Sequence, residues 1–435
     1  MSSAPTPRPV TVAVLGGGTV GSQVARLLTD RTTDLHIRMG TSLKLTKVAV
    51  RDLTKVRGID PAYLTTDAMA VATSGADIVV ELIGGIEPAR SLIMAAIKAG
   101  SSVVTANKAL LASDGASLYA AAEAEGVDIF FEASVAGAIP IVRALQESLS
   151  GDHVTKVMGI VNGTTNYILT RMDEDGASFV DALAEAQTLG YAEADPTADV
   201  DGHDAASKAA ILAELAFHTH VTREDVVCEG ISEVSLHDIR AAKSMGCVIK
   251  LLAIAERVDD DRGVIVRVHP TMVPREHPLA SVRDAFNAVF VEAEAAGELM
   301  FYGRGAGGAP TASAVLGDVV VAARNRLTGS TGWGESADVQ LPILPISEAL
   351  TCYYVNLDVA DRPGALASIA QAFADAGVSI QVVRQDGQGE RTSLIVRTHR
   401  ASDGALQDTV NRLRKLSTVK AVLGVMRVEG EVGAQ

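Results

Sequence analysis

Apolar and polar positions fall into three regimes along the chain. In the first, short apolar runs at 10–15, 43–50, 76–82, 102–105 and 127–131 read as strands. Between them, helical periodicity covers 22–28, 88–99 and 110–124. Strands alternating with helices at this spacing predict a parallel sheet covered on both faces. Residues 31–42 break the rhythm and read as an insertion. From 141 the pattern turns α+β. Strands are expected at 154–161, 247–256 and 264–273, and helices at 167–172, 179–189, 204–220, 236–245 and 314–324. Pro342 and Pro345 mark a linker over 341–349. Residues 350–430 then repeat a β-α-β-β-α-β order of their own, with Asp361-Arg362-Pro363-Gly364 turning the chain after the first strand. With its own apolar pattern, this last module is expected to fold apart from the rest.

The first strand runs into Gly16-Gly17-Gly18-Thr19-Val20-Gly21 and then a helix. GxGxxG is weak alone. Between strand and helix it has the context of a dinucleotide site: Gly16 for the tight turn, Gly18 for pyrophosphate approach, Gly21 for helix–strand packing, and the helix N-terminus on the phosphates. At the end of the second strand stand Arg51, Lys55 and Arg57 against one acid, Asp52. Cations there suit a 2′-phosphate, so NADP(H) is favoured over NAD(H). Lys108 follows the strand ending at Thr105, at the carboxyl edge where such sheets bind ligands.

Residues 186–208 carry five acids, Glu193, Asp195, Asp199, Asp201 and Asp204, and one cation, Lys208. Gly190 stops one helix, Asp195-Pro196 turns the chain, and Asp199 is placed to cap the next helix. Asp204 and Lys208, four apart, share a helix face. An isolated Asp/Lys pair is usually surface decoration. This concentration of acids points instead to a pocket for a cationic substrate group beside a proton-transfer lysine.

The spacing Ala186, Gly190, Asp195-Pro196, Asp199, Gly202, Asp204, Lys208 resembles the signature of homoserine dehydrogenases. The resemblance implies hydride exchange between a nicotinamide and C4 of L-homoserine or L-aspartate 4-semialdehyde, in threonine and methionine biosynthesis. It implies Lys208 and Lys108 as the active-site lysines, their roles exchangeable at this point. It implies Glu193, Asp204, Asp199 and Thr164, the last in the polar turn 162–166, around the substrate. Gly16, Gly18, Thr19, Val20, Gly21, Arg51, Lys55, Thr105, Lys108, Gly190 and Gly305 are then cofactor contacts, Gly305 lying in the glycine-rich loop 303–308. The small-residue loop 132–140 resembles a monovalent-cation (sodium) site formed by Glu132, Val135, Gly137 and Ile139, largely through oxygens. The C-terminal module resembles an ACT domain, with threonine as the expected effector. A homodimer or homotetramer is implied as well.

The resulting fold expectation has three parts. A Rossmann-type α/β nucleotide domain spans 10–140 and is completed by a helix near 311–325. An α+β substrate and oligomerisation domain spans 141–310, and a ferredoxin-like βαββαβ (ACT) domain spans 350–430. Residues 1–9 are expected to be a disordered tail. At 435 residues, 48% hydrophobic and 21% charged, the chain is long enough for these cores. A net charge of −15 argues against nucleic acid or an anionic membrane as main partner. The absence of an 18-residue apolar run argues against a membrane span, and scattered Cys228, Cys247 and Cys352 suit a reducing cytoplasm. Two rivals stay open: another amino-acid dehydrogenase on the same scaffold, and a non-catalytic nucleotide and amino-acid sensor.

Overall fold

The computed structural model describes residues 8–258, 261–332, 339–360, 362–386 and 392–430. Most of the expected tail (residues 1–7) and Asp361 of the expected turn lie outside the described residues. In chain order the early strands are β1 (Val10–Leu15), β2 (Leu43–Ala49), β3 (Leu64–Thr65), β4 (Ile78–Glu81), β5 (Ser102–Thr105), β6 (Ile129–Phe130) and β7 (Val154–Ile160). The later ones are β8 (Val227–Cys228), β9 (Cys247–Val258), β10 (Gly263–Pro274), β11 (Phe286–Ala293), β12 (Gly297–Arg304), β13 (Leu350–Val359), β14 (Ile380–Asp386), β15 (Thr392–Thr398), β16 (Ala401–Ser402) and β17 (Val419–Val428). The helices are α1 (Thr19–Asp30), α2 (Thr32–Met39), α3 (Ala68–Ala72), α4 (Ala89–Lys98), α5 (Lys108–Glu125), α6 (Ile141–Arg143) and α7 (Gly163–Glu174). They continue as α8 (Phe179–Thr188), α9 (Thr197–Val200), α10 (His203–Phe217), α11 (Leu236–Ser244), α12 (Gly308–Thr328), α13 (Ala365–Asp375) and α14 (Asp403–Leu413).

Contacts divide the chain into two units: residues 1–157, 207–224 and 287–340, and residues 158–206, 225–286 and 341–435. In the first, six parallel strands run in the order β3-β2-β1-β4-β5-β6. This is the doubly wound nucleotide-binding topology, whose strand order reverses between β1 and β4. The strands are apolar because both faces are covered. Val12 and Val14 share one core with Val24, Leu28, Val315 and Val319, so α1 and α12 lie on that side. Ala13 and Leu15 face Leu92, Ile93, Leu110 and Leu118. In the second unit, neighbouring strands run β9-β10-β17-β13-β15-β14. The last four give the 4-1-3-2 order of a βαββαβ module. Its own core includes Tyr353, Leu357, Ile369, Phe373, Leu394, Leu406 and Val410.

The structure departs from expectation at several elements. Residues 31–42 hold α2, and among its described side chains Leu35 is the buried apolar anchor. Strands β11 and β12 were not expected, although 286–293 is buried along most of its length. Helix α7 starts at Gly163, so the polar 162–166 segment is its cap and first turn. Asp199 does not cap the helix carrying Lys208; it lies inside α9, and α10 starts separately at His203. The linker is held as well: the Val264 amide donates to the Pro342 carbonyl (2.9 Å) and the Leu344 amide to the Val264 carbonyl (2.8 Å). Nor is the C-terminal module separate, because β17 pairs in parallel with β10 (Thr271 beside Arg427, Met272 beside Val428). Arg267 of β10, fully buried, bonds Glu256 at 2.5 Å and Glu429, just beyond β17, at 2.9 Å. Among the described residues no helix is long and apolar enough to cross a membrane.

Candidate active site

The nucleotide-binding part grows from the end of β1. Gly16 has φ +104°, and a Cβ there would lie 2.6 Å from the Leu82 carbonyl oxygen. A Cβ on Gly21 would lie 1.9 Å from the Gly16 carbonyl oxygen, so the turn and α1 pack with no room for a side chain. Gly18 precedes α1 and provides no side-chain cap. The first-turn amides of Thr19, Val20 and Gly21 therefore remain suited to an anion. A Cβ on Gly18 would touch nothing within 4 Å, which leaves that approach open. The cavity here measures about 880 Å³, and Arg51, Asp52, Lys55 and Arg57 are among its lining residues. A dinucleotide fits this combination of glycine turn, helix N-terminus and basic rim. Asp52 and Glu87 are the acids of the lining, and Asp52 Oδ1 accepts from the Thr54 amide (2.9 Å) and hydroxyl (2.6 Å). These two hydrogen bonds hold its pKa below the usual range.

At the carboxyl ends of β4 and β5, the Thr105 hydroxyl donates to the buried Glu81 carboxylate at 2.6 Å. The same carboxylate accepts from the amides of Ile83 (2.7 Å) and Gly84 (3.0 Å). Thr105 is thus part of a latch that shapes the turn beside the cavity. Glu81 was missed in the sequence, where its signal is a lone acid ending an apolar strand. Asn107 caps α5 by accepting from the Leu110 amide (3.2 Å), which sets Lys108 as the first helical residue.

The loop proposed for a cation also lies in this unit. The Glu132 carboxylate accepts from the amides of Val142 (2.9 Å) and Arg143 (3.0 Å). Burial raises its pKa against these bonds. Asp318 accepts from the Glu132 amide (2.9 Å) and the Arg143 guanidinium (2.6 Å); burial, with Glu132 adding to it, pushes Asp318 up to about 7. Val135 and Ile139 are buried, and Gly137 packs so tightly that a Cβ would lie 2.4 Å from the Gly305 carbonyl oxygen. Gly305 in turn abuts Asn287, whose buried side-chain amide has no hydrogen-bond partner among the described residues. The cation loop and the glycine-rich loop are therefore one packed assembly. No cluster of three or more His, Cys, Asp or Glu suited to a metal occurs among the described residues.

In the second unit, Asn162 gathers the acids. Its Oδ1 accepts from the Thr165 amide (2.9 Å), capping α7. Its Nδ2 donates to Asp199 (2.7 Å) and Asp204 (2.9 Å). Two carboxylates 37 and 42 residues downstream thereby meet on one amide. The Thr164 hydroxyl donates to the Tyr191 carbonyl (2.7 Å), tying α7 to the turn after Gly190. Glu193 is exposed, and its backbone carbonyl accepts from Gln187 (3.0 Å). The division of the chain falls within α10: Asp204 belongs to the second unit, and Lys208, about one turn later and 8% exposed, belongs to the first.

Comparison with known proteins follows the same division. Residues 16–132 match the family model described as homoserine dehydrogenase, NAD binding domain. Residues 140–320 match homoserine dehydrogenase, and 353–418 match the ACT domain. The homoserine dehydrogenase of Corynebacterium glutamicum is 56% identical over 425 residues, 97% of this chain and 96% of that protein. That of Mycobacterium tuberculosis is 54% identical over 433 residues, 97% of this chain and 98% of that one. The crystal structure of a homoserine dehydrogenase from Thiobacillus denitrificans has a TM-score of 0.91 at 40% identity, covering 98% of this chain and 99% of that one. A hyperthermophilic archaeal homoserine dehydrogenase in complex with NADPH has a TM-score of 0.62 at 27% identity, covering 72% of this chain and 98% of that one. This chain belongs to the homoserine dehydrogenase family, oxidoreductases with an NAD-binding domain, and joins to it a catalytic domain and a C-terminal ACT domain.

Proposed function

We propose that the chain interconverts L-homoserine and L-aspartate 4-semialdehyde with NADP(H), as a cytoplasmic enzyme of threonine and methionine biosynthesis. The observation that carries the reading is Asp199 and Asp204 gathered on Asn162, with Lys208 one turn past Asp204 on a buried helix face. The bound dinucleotide supplies or accepts the hydride. Asp204, Asp199 and Glu193 offer carboxylates to the substrate ammonium, and Thr164 holds the turn that carries Tyr191. Lys208 gives a proton to the carbonyl oxygen in reduction and takes it from the hydroxyl in oxidation. Lys108 polarises the same oxygen.

The basic rim and the engagement of Asp52 by Thr54 support NADP(H) over NAD(H), as does the family member solved with NADPH. A sodium ion held by the oxygens of Glu132, Val135, Gly137 and Ile139 would brace the loop against Gly305; no proton or hydride passes through it. Threonine binding to the ACT domain, and assembly as a homodimer or homotetramer, complete the proposal.

The test follows NADPH absorbance when L-aspartate 4-semialdehyde is added. Rapid oxidation is expected. Turnover only with a different amino-acid aldehyde would select the rival dehydrogenase, and no turnover with any would select the sensor.

A further inference from the structure

The three cations on the rim of the nucleotide cavity are not equivalent. Arg51 and Lys55 are exposed, and neither side chain makes a hydrogen bond among the described residues. Arg57 is half-buried and fixed. Its Nε donates to the Gly17 carbonyl at 3.0 Å, and its Nη1 donates to the carbonyls of Asp52 (2.7 Å) and Lys55 (2.8 Å). Gly17 belongs to the phosphate turn; Asp52 and Lys55 belong to the loop after β2. One guanidinium therefore pins the loop that distinguishes cofactors to the turn that holds their pyrophosphate, across 40 residues of sequence.

These contacts leave the Nη2 donors. Among the described residues none accepts from them, and Arg57 lines the cavity. A guanidinium already held on one side loses little freedom when it binds, and its planar fork matches a phosphate. The strand-end residue Arg51 has the expected sequence position but no such support.

We propose that Arg57, not Arg51, is the principal determinant of NADP(H) preference: Nη2 binds the 2′-phosphate, while Nε and Nη1 hold the loop in place. The inference rests on the NADP(H) reading above, and the test separates the two. The probes are 2′,5′-ADP and 5′-AMP, which differ only in the 2′-phosphate, with binding to the full chain measured by calorimetry. Wild type is expected to bind 2′,5′-ADP more tightly. If it does not distinguish the probes, the NADP(H) reading falls and this inference with it. Arg57→Met is expected to weaken 2′,5′-ADP by about 10- to 100-fold, the range for loss of a charge-assisted hydrogen bond, and 5′-AMP by less than about twofold. Equal weakening of both probes would overturn the role of Arg57 and leave the NADP(H) reading standing. Arg57→Lys keeps the charge but loses the fork, and is expected to recover only part of the loss; full recovery would show that charge alone suffices and overturn the clamp. Arg51→Met is expected to cost less than Arg57→Met, and the reverse order would overturn the assignment. Should Arg57→Met fail to fold, wild type is the reference: Arg57→Lys is expected to weaken 2′,5′-ADP more than Arg51→Met does, and the reverse order would overturn the assignment.

Discussion

Removing the Glu429 carboxylate should loosen the seam between β10 and β17 by a predictable amount. Arg267 is fully buried, with Glu256 and Glu429 as its two acidic partners. Burial opposes its charge, and the two carboxylates more than offset this, so its pKa is raised. Breaking a buried pair by deleting one partner costs about 3–5 kcal/mol. Glu256 remains in Glu429→Ala, which places the cost near the lower end, about 3 kcal/mol. At 1.36 kcal/mol per decade this is about a hundredfold faster exchange of amides that open with the seam. Hydrogen exchange read by mass spectrometry reports it at Glu429, whose amide donates to the Met272 carbonyl, and along β10. Exchange at β4 and β5 should not change. Acceleration below about threefold would refute the estimate. Replacing Arg267, Glu256 and Glu429 together by apolar residues should be nearly neutral, because the desolvation cost disappears with the charges.

The same arithmetic bears on removal of the ACT domain. A chain ending at Glu348 loses β13–β17 and Glu429, leaves Arg267 with Glu256 as its remaining acidic partner of the two and bares the edge of β10 at Thr271 and Met272. Such an edge invites aggregation. Charge-neutral repacking at Arg267 and Glu256 is therefore a precondition for testing threonine response by truncation.

Lys208→Met should lower turnover by a factor of about 10² to 10⁴ with NADPH affinity, read by fluorescence titration, unchanged; near-wild-type turnover would remove the proton role. Glu193→Gln should raise the substrate KM, and an unchanged KM would take Glu193 out of the ammonium site. Lys250 is 4% exposed and bonded to Asn166 and the Val282 carbonyl, and burial lowers its pKa to about 8 from 10.5. Between those values the folded state holds fewer protons than the unfolded one, so stability rises with pH through this window and is lost as pH falls through about 8. Thermal midpoints between pH 8 and 10 should climb relative to Lys250→Met; parallel curves would refute this.

Local pattern carried most of the architecture. The strands at 102–105 and 419–428 match their expected bounds, because runs of apolar β-type residues need no distant information. Helix α2 escaped notice because its amphipathic signal rests on little more than Leu35. Asp199 was misplaced for a different reason. Its sequence neighbours suit a cap, but its carboxylate is claimed by Asn162 from 37 residues away. The Arg57 clamp and the Arg267 cluster likewise depend on partners 40 and 162 residues distant. Motif spacing named the glycine turn, the acids and the lysines. It did not show which groups were already engaged: Arg57 by three backbone carbonyls, and Asp52 Oδ1 by Thr54.

The last question is how the ACT strands and the acids proposed to hold the substrate are connected, since both lie in the second unit. One route is the ion pair between Arg427 of β17 and Glu229 at 2.9 Å, but Glu229 is half exposed and such pairs contribute only about 0–1 kcal/mol. The backbone route is stiffer. The Glu229 amide donates to the Val268 carbonyl of β10 (2.8 Å), and the Ile231 amide donates to the Val200 carbonyl of α9 (2.7 Å), beside Asp199. Gly230, between them, has no spare room: a Cβ would lie 2.3 Å from the Val200 carbonyl oxygen and 2.5 Å from the Asp201 Cα. Both are backbone atoms, so Gly230→Ala must displace α9 and with it Asp199. A shift of about 1 Å at a positioning group costs on the order of 10² in rate. Gly230→Ala should therefore depress kcat/KM for the amino-acid substrate about a hundredfold while NADPH binding is kept, and Glu229→Gln should change it less than about twofold. If Glu229→Gln proves the more damaging, the exposed ion pair is the real connection and the backbone route is not.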